Sequence, residues 1–214
     1  ATNLVSSDTN GAGDIFLRDT QLNTTIRVSV STAGVEGDSS STYNSVSEDG
    51  RYVVFVSAAT NLVSGDTNGV ADVFLRDTQL NTTTRISVST AGVQSNGGVN
   101  SFLSMNSDGR YIVFSSAATN LVSSDTNGAG DIFLRDTQLN TTTRVSVSTA
   151  GVEADSDSGE SLVSNDGSYI LYYSSATNLV AGDTNGVEDV FLLGLITIST
   201  PTTTTTSASS ITTT

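Results

Sequence analysis

Short apolar runs, each followed by turn-forming residues, recur at a nearly fixed interval along this chain. Tyr52-Val53-Val54-Phe55-Val56, Tyr111-Ile112-Val113-Phe114 and Tyr169-Ile170-Leu171-Tyr172-Tyr173 are continuously apolar. That pattern predicts strands covered on both faces, in the middle of a sheet. Each run follows a turn of Ser-x-Asp-Gly type, as in Ser47-Glu48-Asp49-Gly50 and Ser164-Asn165-Asp166-Gly167, where Gly supplies the positive φ. A first strand is therefore expected before each turn, hairpinned to the apolar one. A third is expected at Asp14 to Asp19 and in its copies from Asp72 and Asp131. The fourth alternates, as in Arg85-Ile86-Ser87-Val88-Ser89, which predicts an edge strand with Ile86 and Val88 on one dry face.

These elements form a repeat. The phrase Ala-Thr-Asn-Leu-Val begins at Ala1, Ala59, Ala118 and Ala176, with spacings of 58, 59 and 58 residues. Between Ala1–Val30 and Ala118–Val147 the sole difference is Ile26 against Thr143, so the units are close to interchangeable. Residues 1–200 read as tandem units and 201–214 as a Thr/Ser-rich low-complexity tail. The fold class expected is all-β, a propeller-type array of four-stranded antiparallel blades. The chain starts on a third strand, so about three and a half blades are visible. Closure into a ring takes about four or more, which leaves the N-terminal half-blade with an unpaired edge.

The residues also carry a resemblance. Ser-Glu-Asp-Gly-Arg-Tyr-Val-Val-Phe from Ser47 and Ser-Asp-Gly-Arg-Tyr-Ile-Val-Phe from Ser107, each followed by Asp-Val/Ile-Phe-Leu-Arg-Asp, resemble the TolB-like, WD40-like (PD40-type) propeller repeat. The resemblance runs to about Leu192 and implies a protein of the bacterial envelope or of secreted origin, with no catalytic residue to transfer. Blades of that family are usually shorter, which makes Ala59 to Val70 and its copies an inserted loop. The last unit departs as well, with Leu192-Leu193-Gly194 in place of Leu-Arg-Asp.

Composition narrows the chemistry. Hydrophobic residues make up 36% and charged residues 14%, with Ser, Thr, Asn and Gly filling the balance, so little helix is expected. The net charge of −14 comes from 22 acidic residues against 8 basic ones, all Arg, and disfavours nucleic acid as a partner. With no Cys and no His there is no disulfide, no thiolate metal site and no imidazole base. No apolar run reaches the roughly 18 residues of a membrane span, and no intact signal peptide is evident.

Three features invite chemistry. Asp-Thr-Asn-Gly-x-x-Asp occurs in each inserted loop, at Asp8, Asn10, Asp14; Asp66, Asn68, Asp72; Asp125, Asn127, Asp131; and Asp183, Asn185, Asp189. Oxygen ligands so spaced around a Gly turn suit calcium, although Ser6, Ser64, Ser123 and Ala181 stand where a leading acid would be and the ion wants about six to eight oxygens. An Asx turn with an Asp capping backbone amides explains the same pattern. Asn-x-Thr at Asn23, Asn81 and Asn140 falls on an exposed hairpin turn, as a glycan acceptor or as an Asn in the left-handed position. Finally, Asp19, Asp77 and Asp136 follow Arg18, Arg76 and Arg135. Paired carboxylates could serve glycoside hydrolysis, but identical recurrence favours ion pairs that stitch neighbouring blades.

The sequence thus predicts a non-enzymatic structural protein, extracellular or at the cell surface. It is expected to self-associate as a homo-oligomer or filament through open strand edges and the segment from Val190 to Thr214. The alternative is a monomeric propeller module binding a glycan or protein in a calcium-dependent way.

Overall fold

The computed structural model describes residues 4–195. The tail at 201–214 and most of the segment after Val190 lie outside them. Thirteen strands form four antiparallel sheets, and no helix occurs among the described residues, hence none long and apolar enough to cross a membrane. Blade 1 is a hairpin of β1 (Phe16–Asp19) and β2 (Thr24–Arg27). Blade 2 runs β3 (Ser41–Val46), β4 (Tyr52–Ser57), β5 (Asp72–Asp77) and β6 (Thr82–Arg85) in that order across the sheet. Blade 3 repeats it with β7 (Val99–Met105), β8 (Tyr111–Ser116), β9 (Asp131–Asp136) and β10 (Thr141–Arg144). Blade 4 holds three strands, β11 (Ser158–Val163), β12 (Tyr169–Ser174) and β13 (Asp189–Gly194).

The apolar second strands lie mid-sheet as expected, and their burial explains the missing alternation. The sheets of blades 2 and 3 are walls between two cores. One face of β4 sends Val53 and Phe55 toward Ile15 and Val28 of blade 1. The other sends Val54 and Val56 toward Met105, Ile112 and Phe114 of blade 3. Blade 3 in turn meets Ile170 and Tyr172 of blade 4 through Val113, Ile132 and Val145. Offset ring pairs tie second to third strands within each sheet, Phe55 to Phe74 and Phe114 to Phe133 at 5.9 Å and Tyr172 to Phe191 at 5.4 Å.

The first strand carries a bulge in each of blades 2, 3 and 4. In blades 2 and 4 Tyr43 and Glu160 stand at φ of 42° and 39°, a left-handed strain that side chains other than Gly seldom accept.

Two expectations need correction. The fourth strand, expected to run on through the alternating segment from Arg85 to Ser89, spans Thr82–Arg85 and ends at that segment's first residue. The physical reason is a side-chain substitution. Ile86 N–H still donates to Val73 O, but the Val73 N–H then donates to the Ser87 hydroxyl at 3.1 Å instead of a ladder carbonyl, and the backbone peels away. Ser29 and Ser146 do the same to Ile15 and Ile132. The second correction concerns ion pairs. Asp77 and Asp136 bind Arg51 and Arg110 of their own sheets, at 2.7 and 2.8 Å, because the second-to-third strand register sets Tyr52 and Tyr111 opposite those aspartates. Neighbouring blades are joined by apolar contact and hydrogen bonds instead. Thr83 Oγ1 donates to Val30 O and Thr142 Oγ1 to Val88 O, both at 2.5 Å, and Arg76 donates to Ser31 O.

Candidate functional site

The four Asp-x-Asn-Gly loops are built alike. In each, the Asn side-chain oxygen accepts an N–H two residues on, from Ala12, Val70, Ala129 and Val187, which is an Asx turn. The Asn amide donates to the closing aspartate in every copy. In the first three it also reaches a carbonyl across the loop, at Gly37, Ser95 and Ala154. The closing aspartates Asp14, Asp72 and Asp131 accept the hydroxyls of Ser29, Ser87 and Ser146, the same serines that end the fourth strand.

Between the two carboxylates of each of these three loops lies a guanidinium. Arg144 is 3.5 Å from Asp125 and 3.1 Å from Asp131, and Arg85 is 3.2 Å from Asp66 and 3.5 Å from Asp72. Arg27 faces Asp8 at 3.9 Å and Asp14 at 3.3 Å. The place a divalent ion would take therefore already holds a positive charge. Among the described residues no three carboxylates gather closely enough to hold a metal ion. Burial pushes the carboxyls of Asp66, Asp72 and Asp125 upward, against the attraction of their arginines. The fourth loop differs: no arginine follows Arg144 anywhere in the sequence. There Asp189 accepts both its hydrogen bonds from the Asn185 amide, at 3.1 and 2.9 Å.

A third partner closes each arginine cage, and sequence reasoning missed it. Glu36, Gln94 and Glu153 accept from Arg27, Arg85 and Arg144 and also engage Thr9, Thr67 and Thr126. The signal was present, since each stands nine residues after its arginine.

Asn23, Asn81 and Asn140 all adopt φ of 56°, the left-handed turn position, and lie exposed at the hairpin tips. Their side-chain oxygens accept from Arg18, Arg76 and Arg135. Asp19, Asp77 and Asp136 each cap the same hairpins by accepting two backbone N–H groups. A cleft of about 350 Å³ lies between blades 2 and 3, edged by Asp77, Asp108, Arg110 and Arg135. Asp77 there is already paired with Arg51, and the Arg110–Asp136 pair runs alongside.

The terminal blades differ from the inner ones in what covers them. Leu4 is 51% exposed, while its counterparts Leu62 and Leu121 are 1% and 2%. Arg18 is exposed where Arg76 and Arg135 are buried. At the other end, Val190 and Leu192 are 55% and 66% exposed, at positions where blade 2 buries Val73 and Leu75.

Solved structures with the same fold include a TolB from Agrobacterium tumefaciens. It is 17% identical, with 86% of this chain and 58% of that one covered at a TM-score of 0.50. The tricorn protease is 13% identical, with 87% and 16% covered at 0.55. TolB from Acinetobacter baumannii is 16% identical, with 85% and 35% covered at 0.45. The chain thus spans only part of each. No protein-family model and no curated protein matches the sequence. The fold is a TolB-like β-propeller array, an architecture shared with a TolB protein and with a protease.

Proposed function

We propose that this chain is a non-enzymatic structural protein, secreted or displayed at the cell surface, that associates with copies of itself into an open array or filament. The observation that carries this reading is the apolar surface left open by the outermost described strands, with Leu4 exposed on blade 1 and Val190 and Leu192 exposed on blade 4. A polar outer face is what keeps a unit of a repeat array soluble without a neighbour, and these positions are apolar. Among the described residues the outer edge of β13 and the inner edge of β1 also lack strand partners, and such edges template pairing with another chain. The absence of His, Cys and Lys from the sequence, together with carboxylates that recur in identical surroundings, supports a role without catalysis. Light scattering on the size-fractionated chain at micromolar concentration tests the proposal. Concentration-dependent growth in mass is expected, and a strict monomer removes it.

A calcium-dependent binding module is the second reading, and one loop favours it. Asp183, Asn185 and Asp189 alone among the four sets have no arginine counterpart. Titration calorimetry with calcium is expected to show at most one site per chain, abolished by Asp189→Asn, and no heat discards the reading. Glycans on the exposed Asn23, Asn81 and Asn140 would suit a secreted protein, and mass spectrometry of natively produced material would show them.

A further inference from the structure

The seam between blades 2 and 3 lies between two four-stranded sheets, so its shape does not depend on the outermost strands of the chain. We propose that the cleft of about 350 Å³ on this seam binds a small hydroxylated carboxylate, received by Arg135. The site goes beyond the self-association proposed above and stands or falls separately from it. The argument starts from charge. Among the described residues Arg27, Arg51, Arg85, Arg110 and Arg144 pair with carboxylates, and Arg18 is exposed to water. Arg76 and Arg135 are only 6% and 7% exposed, and neither has such a partner. Asp136, next in sequence to Arg135, is taken by Arg110 and by two backbone N–H groups. A buried charge is ordinarily paired. Burial accordingly pulls the Arg135 guanidinium below its usual value, opposed by the charge of Asp136.

Donor counting shows which edge of Arg135 is open. A guanidinium has five N–H groups. Nη1 donates to Asn140 O at 3.0 Å and to Thr142 Oγ1 at 3.1 Å, and Nη2 to Asn140 Oδ1 at 3.2 Å. These bonds lie within one hairpin and fix the side chain, while the Nε–H and a second Nη2 hydrogen are left over. Arg51 and Arg110 present the same edge to Asp77 and Asp136, at distances between 2.7 and 3.1 Å, so the chain itself shows a carboxylate fitting it. Arg76 makes the same hairpin bonds but also crosses its seam to Ser31 O at 3.3 Å. Arg135 makes no such crossing among the described residues, and its seam carries the cleft. The opposite wall is blade 2, where Leu75 and Ile86 are apolar and Thr82 and Thr84 bring hydroxyls. Hydroxyls on the ligand suit those threonines. The volume is at the lower end for small-molecule sites. Asp77 and Asp108 on the rim, with a net charge of −14, disfavour a dianion such as phosphate.

Gluconate is the probe, and sorbitol, which keeps the hydroxyls without the charge, is the control. In an NMR titration of the isotope-labelled chain, gluconate is expected to shift the Gly109 amide and the arginine Nε–H signal that Arg135→Gln removes, along a saturating curve in the millimolar range. Sorbitol, and sodium chloride at matched ionic strength, are expected to give no saturation. Arg135→Gln should weaken binding about tenfold or more, and Arg76→Gln, which alters the same clamp on the other seam, should bind as the parent does. Thr84→Tyr fills the cleft from blade 2 and leaves the Arg135 hairpin untouched, so it should abolish binding and keeps the test decisive if Arg135→Gln does not fold. A response to gluconate no different from that to sodium chloride overturns the site, as does binding that survives Thr84→Tyr. Sorbitol or phosphate bound as tightly as gluconate overturns the carboxylate assignment.

Discussion

Phe16, Phe74 and Phe133 occupy the same position in three copies of one strand, yet water reaches only the first. Their own sequences are nearly the same, so the difference lies in the neighbours. Phe74 and Phe133 each stack on a ring of the second strand and sit beneath a preceding blade. Phe16 has neither. The same holds for Arg18 against Arg76 and for Leu4 against Leu62. In this fold, a residue's energetic weight is set by whether its blade has a neighbour on that side, as expected for a quasi-one-dimensional array.

The comparison can be broken most directly at the rings. Phe133→Ala should cost about 4 kcal/mol, the range for a buried Phe that leaves a cavity, and Phe16→Ala roughly half of that or less; denaturant midpoints of the two variants measure the gap. Equal losses would mean that blade 1 is covered in solution. Next in size is the arginine cage. Arg144→Gln leaves Asp125 and Asp131 buried without a countercharge, at a cost of about 3 kcal/mol. Exposed Arg18, which among the described residues forms no ion pair and bonds Thr25 and Asn23, should tolerate Gln within about 0.5 kcal/mol. Smaller again is the seam between blades. Thr142→Val removes the hydroxyl that donates to Val88 O and should cost about 1 kcal/mol, whereas Thr25 has no such carbonyl partner among the described residues and its change to Val should cost less.

Much of this architecture could be read from the residues. The period, the turns and the mid-sheet runs at Tyr52, Tyr111 and Tyr169 follow from apolar continuity and Gly placement, which are local. The early end of the fourth strand was hidden because it depends on one hydroxyl replacing a carbonyl. Ser87 in an alternating segment looks the same whether it faces water or Val73 N–H. The arginine partners were hidden for a different reason. Asp77 follows Arg76 directly but pairs with Arg51, twenty-six residues upstream, because the hairpin register brings them side by side. The loops carry both lessons, since the Asx turn was legible from Asp-x-Asn-Gly while the guanidinium among the carboxylates was not.

The smallest expected effect separates blades 1 and 3 from blade 2 by acidity. Hydrogen bonds from Thr9, followed by Arg27, hold the Glu36 carboxyl at about 2 against an ordinary 4.5, and Thr126 lowers Glu153 in the same way. Blade 2 places the neutral Gln94 in that position, bonded to Thr67 and Arg85. A carboxyl held below its unfolded value contributes stability that is fully present above about pH 4.5 and is lost as the pH falls toward about 2. Asp66, Asp72 and Asp125, raised by burial, act in the opposite sense, because protonation relieves their desolvation. The parent should therefore lose melting temperature between pH 4.5 and 2 in part through Glu36 and Glu153. Replacing both by Gln, as blade 2 already does, should flatten that segment of the profile and leave the value at pH 7 little changed, since Gln94 shows that the amide engages the same kinds of partner, its nitrogen donating to the Thr67 hydroxyl where the carboxylates accept from Thr9 and Thr126. A double variant that loses stability in acid as steeply as the parent would place the acid sensitivity elsewhere. Asp166 would then be the next carboxylate to replace, held at about 2 by Ser164 and Ser168 in the turn of blade 4.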